Sequence, residues 1–106
     1  MGKRRLTGPA PSGSTDSLHG KPVEAESDLH GLDARAAEIR LESFLTRMAA
    51  TRPGAVVRVI TGRGNRSDGP PVLQPLVREL LDGRLARHVA RSALEPGGGA
   101  YLVQVR

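Results

Sequence analysis

From Val23 to His30 the chain alternates: Val23, Ala25, Ser27 and Leu29 fall on one side, and Glu24, Glu26, Asp28 and His30 on the other. A period of two predicts a short strand with one half-buried face, ended here by Gly31. Asp33 then stands where a helix cap belongs, and Ala37, Leu41, Phe44, Leu45 and Met48 follow at i, i+4, i+7, i+8 and i+11, the apolar stripe of a helix. Pro53-Gly54 stops it. The β-branched run Val56 to Ile60, with Arg58 at its centre, predicts a second and mostly buried strand. After the loop TGRGNRSDGPP, Val72, Leu76, Leu80 and Leu81 predict a second helix, with Pro71 and Pro75 before it or in its first turn and Asp82-Gly83 closing it. Val89 to Leu94 and Ala100 to Val105 read as two strands joined by the turn-rich Glu95-Pro96-Gly97-Gly98-Gly99.

The order β-α-β-α-β-β predicts an α/β domain with a four-stranded mixed sheet. Each β-α-β step calls for same-direction strands joined by a right-handed crossover. Three such strands end on one edge of the sheet, so the loops after Leu29, Ile60 and Leu94 gather there. Helix N-termini open on the same edge, and ligands of open α/β sheets generally bind at such an edge.

Residues 1–22 break the pattern. They are rich in Gly, Pro and Ser with almost no apolar periodicity, and predict a disordered basic tail ahead of a domain over 23–106. Within them Lys3, Arg4, Arg5 and Lys21 against Asp16 hold +3 of the formal +5. A basic balance favours polyanionic partners, because phosphate contacts release counterions. All the basic residues except Lys3 and Lys21 are arginine, which suits bidentate phosphate contacts, though a codon bias toward arginine produces the same count. Phe44 and Tyr101 are the only aromatic residues, too few for base-stacking platforms. The absence of cysteine removes disulfides and thiolate metal sites as sources of stability. With 106 residues, the chain has room for one small core. No apolar run approaches the roughly 18 residues of a membrane span, and no signal peptide is visible. These features predict a soluble, cytoplasmic protein.

Asp28 and His30 are two apart in a strand and so share a face. An ordinary imidazole titrates near pH ~6.5 and trades protons at neutral pH, and a neighbouring carboxylate orients it. The same spacing also fits two side chains that merely face solvent. Gly62-Arg63-Gly64, directly after the second strand, permits close backbone approach and aims a guanidinium at the same edge, where it would hold a phosphate. A plain turn is the competing reading, since the lysine and spacing of a P-loop are missing. Gly97, Gly98 and Gly99 either bring bare N–H groups to a phosphate or form a hairpin tip. His19, in a Leu-His-Gly echo eleven residues before His30, has neither a strand before it nor a helix after it, and His88 reads as a structural histidine.

Asp28-Leu29-His30-Gly31 resembles the Asp-x-His-Gly signature of the small MutS-related (Smr) domain, and Thr61-Gly62-Arg63-Gly64 resembles its second motif. Gly97-Gly98-Gly99-Ala100 is similar to the family's glycine-rich third segment, so the resemblance runs over about residues 23–106. It implies a two-layer α/β sandwich and an endonuclease that nicks DNA or RNA. Asp28, His30 and Arg63 then carry the acid, histidine and arginine roles. Gly31, Thr61, Gly62, Gly64, Arg66, Gly97, Gly98 and Gly99 are candidates for contact with nucleic acid or phosphate. Ser27 departs from the family, which usually has Leu there. A two-metal site needs more carboxylates than Asp28 with Glu26 or Asp68 supplies, which leaves at most one weakly held Mg²⁺ at Asp28. A binding module without catalysis, and a phosphate hydrolase acting on small molecules, are the competing functional classes.

Overall fold

A computed structural model of the chain describes residues 18–62 and 73–106. Six elements follow in the expected order: β1 Ala25–Asp28, α1 Ala34–Thr51, β2 Val56–Ile60, α2 Leu73–Asp82, β3 Val89–Leu94 and β4 Ala100–Val105. A 3₁₀ turn at Ala86–His88, which the apolar pattern did not announce, leads into β3. The sheet order is β1-β2-β4-β3. β1 runs parallel to β2 with Asp28 opposite Ile60, while β4 is antiparallel to both β2 and β3. The three strands β1, β2 and β3 therefore share a direction, as their connections require. β4, last in the chain, folds back through the 95–99 turn into the space between β2 and β3. Its sequence suits that central place, because Ala100, Tyr101, Leu102, Val103 and Val105 are buried on both faces of the sheet.

Both helices pack on one face, giving two layers. The core joins Leu41, Phe44 and Leu45 of α1 and Val77, Leu80 and Leu81 of α2 to Val57, Val59, Tyr101 and Val103 of the sheet. The Asp33 carboxylate caps α1 by accepting from the Ala36 N–H at 2.8 Å, and the expected stripe from Ala37 to Met48 is the buried one. In α2 the register differs from expectation. Leu73, Val77, Leu80 and Leu81 are buried, Leu76 is at the margin of the core, and Val72 lies outside the described residues. The apolar pairs in this segment satisfy two helical registers equally. Packing against the sheet selects the one that begins at Leu73, with Pro75 tolerated in the first turn, where its missing N–H costs no helical bond. Ser27 occupies a buried position on β1, where a larger apolar side chain would also fit the pattern.

The opposite face of the sheet is partly covered too. Val56, Ala93 and Leu102 form a second apolar cluster there with Leu18, which is only 1% exposed, and Val23 packs against it. Leu18 belongs to the stretch expected to be unstructured, yet it is buried, and a single turn with the Lys21 N–H on the Leu18 carbonyl at 3.2 Å follows it. An isolated leucine in a polar segment carries no periodicity, so only the sheet reveals its partner. The rest of the expected tail, 1–17, lies outside the described residues. In the middle of this face Arg58 donates to Glu26 at 2.8 Å and to Glu95 at 2.9 Å, and those two bonds hold its guanidinium more firmly charged than usual. Among the described residues no helix is long and apolar enough to cross a membrane.

Candidate active site

The pair Asp28 and His30 lies where β1 ends. The Leu29 N–H still bonds the Ile60 carbonyl of β2 at 2.7 Å, after which the chain turns, with the Leu32 N–H on the Leu29 carbonyl at 3.1 Å. Gly31 makes that turn with φ of +83°, in the left-handed region that side chains disfavour. His30 is thus in the turn rather than in the strand. What brings its ring to Asp28 is hydrogen bonding and not the strand pleat. One carboxylate oxygen, Oδ1, accepts from the His30 backbone N–H at 3.0 Å and contacts His30 Nδ1 at 2.8 Å.

The electrostatic consequence is specific. These bonds, the ring contact first and the backbone N–H second, hold the Asp28 carboxyl below its usual value of 3.8. It is therefore ionised at neutral pH. A short contact with an ionised carboxylate requires the proton on Nδ1, which leaves Nε2 as the nitrogen that gives or takes a proton at the surface. Both side chains are open to solvent, His30 at 69% and Asp28 at 51%, so a large substrate can reach them.

The second motif supports the first. Gly62, also at φ +83°, lies so close to His30 that a Cβ built on it would be 3.3 Å from the His30 Cβ. Thr61 is buried, and the Thr61 and Gly62 N–H groups both donate to the Gly99 carbonyl, at 3.0 and 3.1 Å. The three motifs, distant in sequence, therefore meet at one edge of the sheet: Asp28-His30 against Gly62, and Gly62 against Gly99. The glycine hairpin serves here as a brace. Its Gly98 N–H closes the turn onto the Glu95 carbonyl at 2.9 Å, and its Gly98 carbonyl accepts from the Gln74 side-chain amide at the start of α2. Gln74 had no signal in the sequence, since a polar residue in a first helical turn is commonplace. Arg63, Gly64, Arg66 and Asp68 lie outside the described residues.

Glu26 and His88 have partners of their own. Glu26, the nearest carboxylate of β1, is held by Arg58, and among the described residues no three His, Asp or Glu side chains converge as a metal site would require. His88 Nε2 lies 3.4 Å from the Thr46 hydroxyl, joining the 3₁₀ turn to α1. His19 lines a shallow depression with Lys21, Arg58 and Glu95.

The chain matches the model of the Smr domain over residues 27–106. Its structure is similar to the crystal structure of the Smr domain of Thermus thermophilus MutS2, with a TM-score of 0.62 and 28% identity, over 78% of this chain and 99% of that one. No curated protein matches the sequence.

Proposed function

The chain belongs to the Smr domain family, known for nucleic-acid binding and nicking, and on that premise we propose that it is an endonuclease whose proton-transfer group is His30, oriented by Asp28. The observation that carries this reading is the 2.8 Å contact between His30 Nδ1 and Asp28 Oδ1. It fixes the tautomer and presents Nε2 to solvent at the edge where the Gly62 and Gly99 segments join. The accompanying proposals are that Arg63 neutralises charge on the reacting phosphate, with Arg66 as a further phosphate contact.

On RNA the chemistry needs only these groups. His30 Nε2 takes the proton of a 2′-hydroxyl, O2′ forms a bond to phosphorus as the bond to the 5′-oxygen breaks, and solvent returns a proton to the leaving oxygen. The products are a cyclic 2′,3′-phosphate and a 5′-hydroxyl. On DNA the same nitrogen takes a proton from a water whose oxygen bonds to phosphorus as one ester P–O bond breaks, and solvent returns a proton to the departing oxygen, leaving a phosphate monoester on one end and a hydroxyl on the other.

The test is incubation of the purified chain with supercoiled plasmid and with end-labelled RNA, each with Mg²⁺ and with EDTA. The parent should cut at least one substrate, and His30→Ala and Arg63→Ala should not. A His30→Ala protein that cuts as fast as the parent removes His30 from the mechanism. Salt-sensitive binding with no new ends assigns the protein to binding alone.

A further inference from the structure

β1 is an edge strand, and between its free side and α1 lies a groove of about 630 Å³ lined by Asp28, Ala36, Ile39, Arg40, Ser43 and Arg47. We infer that this groove is a track for the sugar-phosphate backbone of the strand that reaches the Asp28–His30 pair. The inference rests on the nucleic-acid reading above and adds to it the path that the polymer follows.

The distribution of charge on α1 carries the argument. At 100° per residue, Ala36, Arg40, Ser43 and Arg47 form one stripe, with the buried residues beside it and Glu38 and Glu42 on the far flank. The acids on that flank are neutralised, because Arg84 pairs with both Glu38 and Glu42. The arginines on the groove side are not: among the described residues neither Arg40 nor Arg47 has a carboxylate within ion-pair distance. Of the acids that border the groove, Glu26 is paired with Arg58, and Asp28, hydrogen-bonded to His30, stays ionised and feels the Arg40 charge, which leaves Arg47 as the arginine farther from any acid. Arg35 stands on the other flank, and along the groove the helix therefore presents two arginines without an ion-pair partner among the described residues, a positive charge open to a ligand. A polymer of phosphodiesters neutralises it, which an uncharged peptide strand added to the β1 edge would not.

Geometry agrees with a polymer rather than a single phosphate. Seven residues of helix separate Arg40 from Arg47, about 10 Å of axis, or roughly three nucleotides of a stacked strand. The Arg47 guanidinium lies 5.9 Å from the centre of the Phe44 ring, which keeps it along the groove. One Arg40 nitrogen lies 3.5 Å from the Asp28 carbonyl oxygen, so the track ends at the proposed catalytic pair. Ser43 adds a hydroxyl between the two cations, and Ile39, 58% exposed, forms an apolar rim against which sugars can rest.

The test uses the full chain carrying His30→Ala, so that cutting does not interfere, and fluorescence anisotropy of labelled single-stranded DNA and RNA across a salt series. Adding Arg40→Gln with Arg47→Gln should weaken binding several-fold and flatten the slope of log K against log salt by about 1.4, the share of two phosphate contacts on a single strand. Arg78→Gln with Arg87→Gln removes the same charge elsewhere and should leave the slope near that of the parent. Arg40→Lys with Arg47→Lys should recover most of the slope, and unchanged melting temperatures show that every variant is folded. An unchanged slope in the glutamine pair, or equal losses in the Arg78/Arg87 control, overturns the track while leaving the nucleic-acid reading intact. Failure of the parent to bind either polymer overturns both. A labelled acidic peptide whose binding is lost in Arg40→Gln with Arg47→Gln, while polymer binding keeps the parent slope, would assign the groove to protein instead and overturn the track as well.

Discussion

Gly62 stands directly behind His30: a Cβ at position 62 would approach the His30 Cβ to 3.3 Å, and the backbone there has φ of +83°. Two constraints act at once, the left-handed conformation and the space. Together they explain why a glycine at the end of β2 matters to a histidine at the end of β1, although the two residues are 32 positions apart.

Gly62→Ala should therefore destabilise the fold by about 1 to 2 kcal/mol through backbone strain alone, and should also displace His30. Thermal unfolding measures the first effect. The imidazole ¹H–¹⁵N spectrum measures the second, and unchanged His30 signals would show that the turn yields without moving the ring.

Asp28→Asn should preserve the shape of the site and lose its electrostatics. The amide no longer demands a proton on Nδ1, so the imidazole loses its single tautomer and cutting falls steeply. Long-range ¹⁵N couplings of the ring report the tautomer, and the plasmid and RNA assays report the activity.

The Asp28 carboxyl also makes a prediction about pH. Its value in the folded chain is lowered, so its contribution to stability is present above the ordinary value of 3.8 and is lost as the pH falls through the lower, folded value. The melting temperature of Asp28→Asn should lie slightly below that of the parent at neutral pH, and the two should converge in strongly acidic solution. Because the carboxylate is half exposed, the difference should be small. A constant difference across the whole range would mean that the pair contributes through packing rather than charge.

Leu18→Ala should cost about 2 kcal/mol, the low end for a buried leucine, since its cluster on the open sheet face is small. Denaturant unfolding is the measurement. A change within about 0.5 kcal/mol, the range of ordinary surface substitutions, would mean that the turn at 18–21 contributes nothing to the fold.

Gln74→Ala removes the bond from α2 to the Gly98 carbonyl and should loosen the 95–99 hairpin, costing about 1 kcal/mol. Faster amide exchange at Thr61 and Gly62, whose N–H groups rest on Gly99, would reveal the loosening at the site itself.

Much of this molecule was legible in its residues. The strands at Val56–Ile60, Val89–Leu94 and Ala100–Val105 and the stripe of α1 follow from periods of two and 3.6, which are properties of the backbone that side chains simply advertise. The Asp28-x-His30-Gly31 spacing likewise placed two side chains within reach of each other, because a two-residue separation limits how far apart the groups can lie. Tertiary structure alone decided the rest. The insertion of β4 between β2 and β3, the burial of Leu73 and Val77 with Leu76 left at the margin of the core, and the burial of Leu18 all depend on which surface is offered by residues distant in sequence. The same holds at the site, where Gly62 behind His30, Gly99 beneath Thr61 and Gln74 against Gly98 are contacts across the sheet edge. Local patterns determine which elements form, since their causes lie within a few bonds. Which of their residues meet is settled by closing the core, where competing registers of similar local energy are separated only by packing.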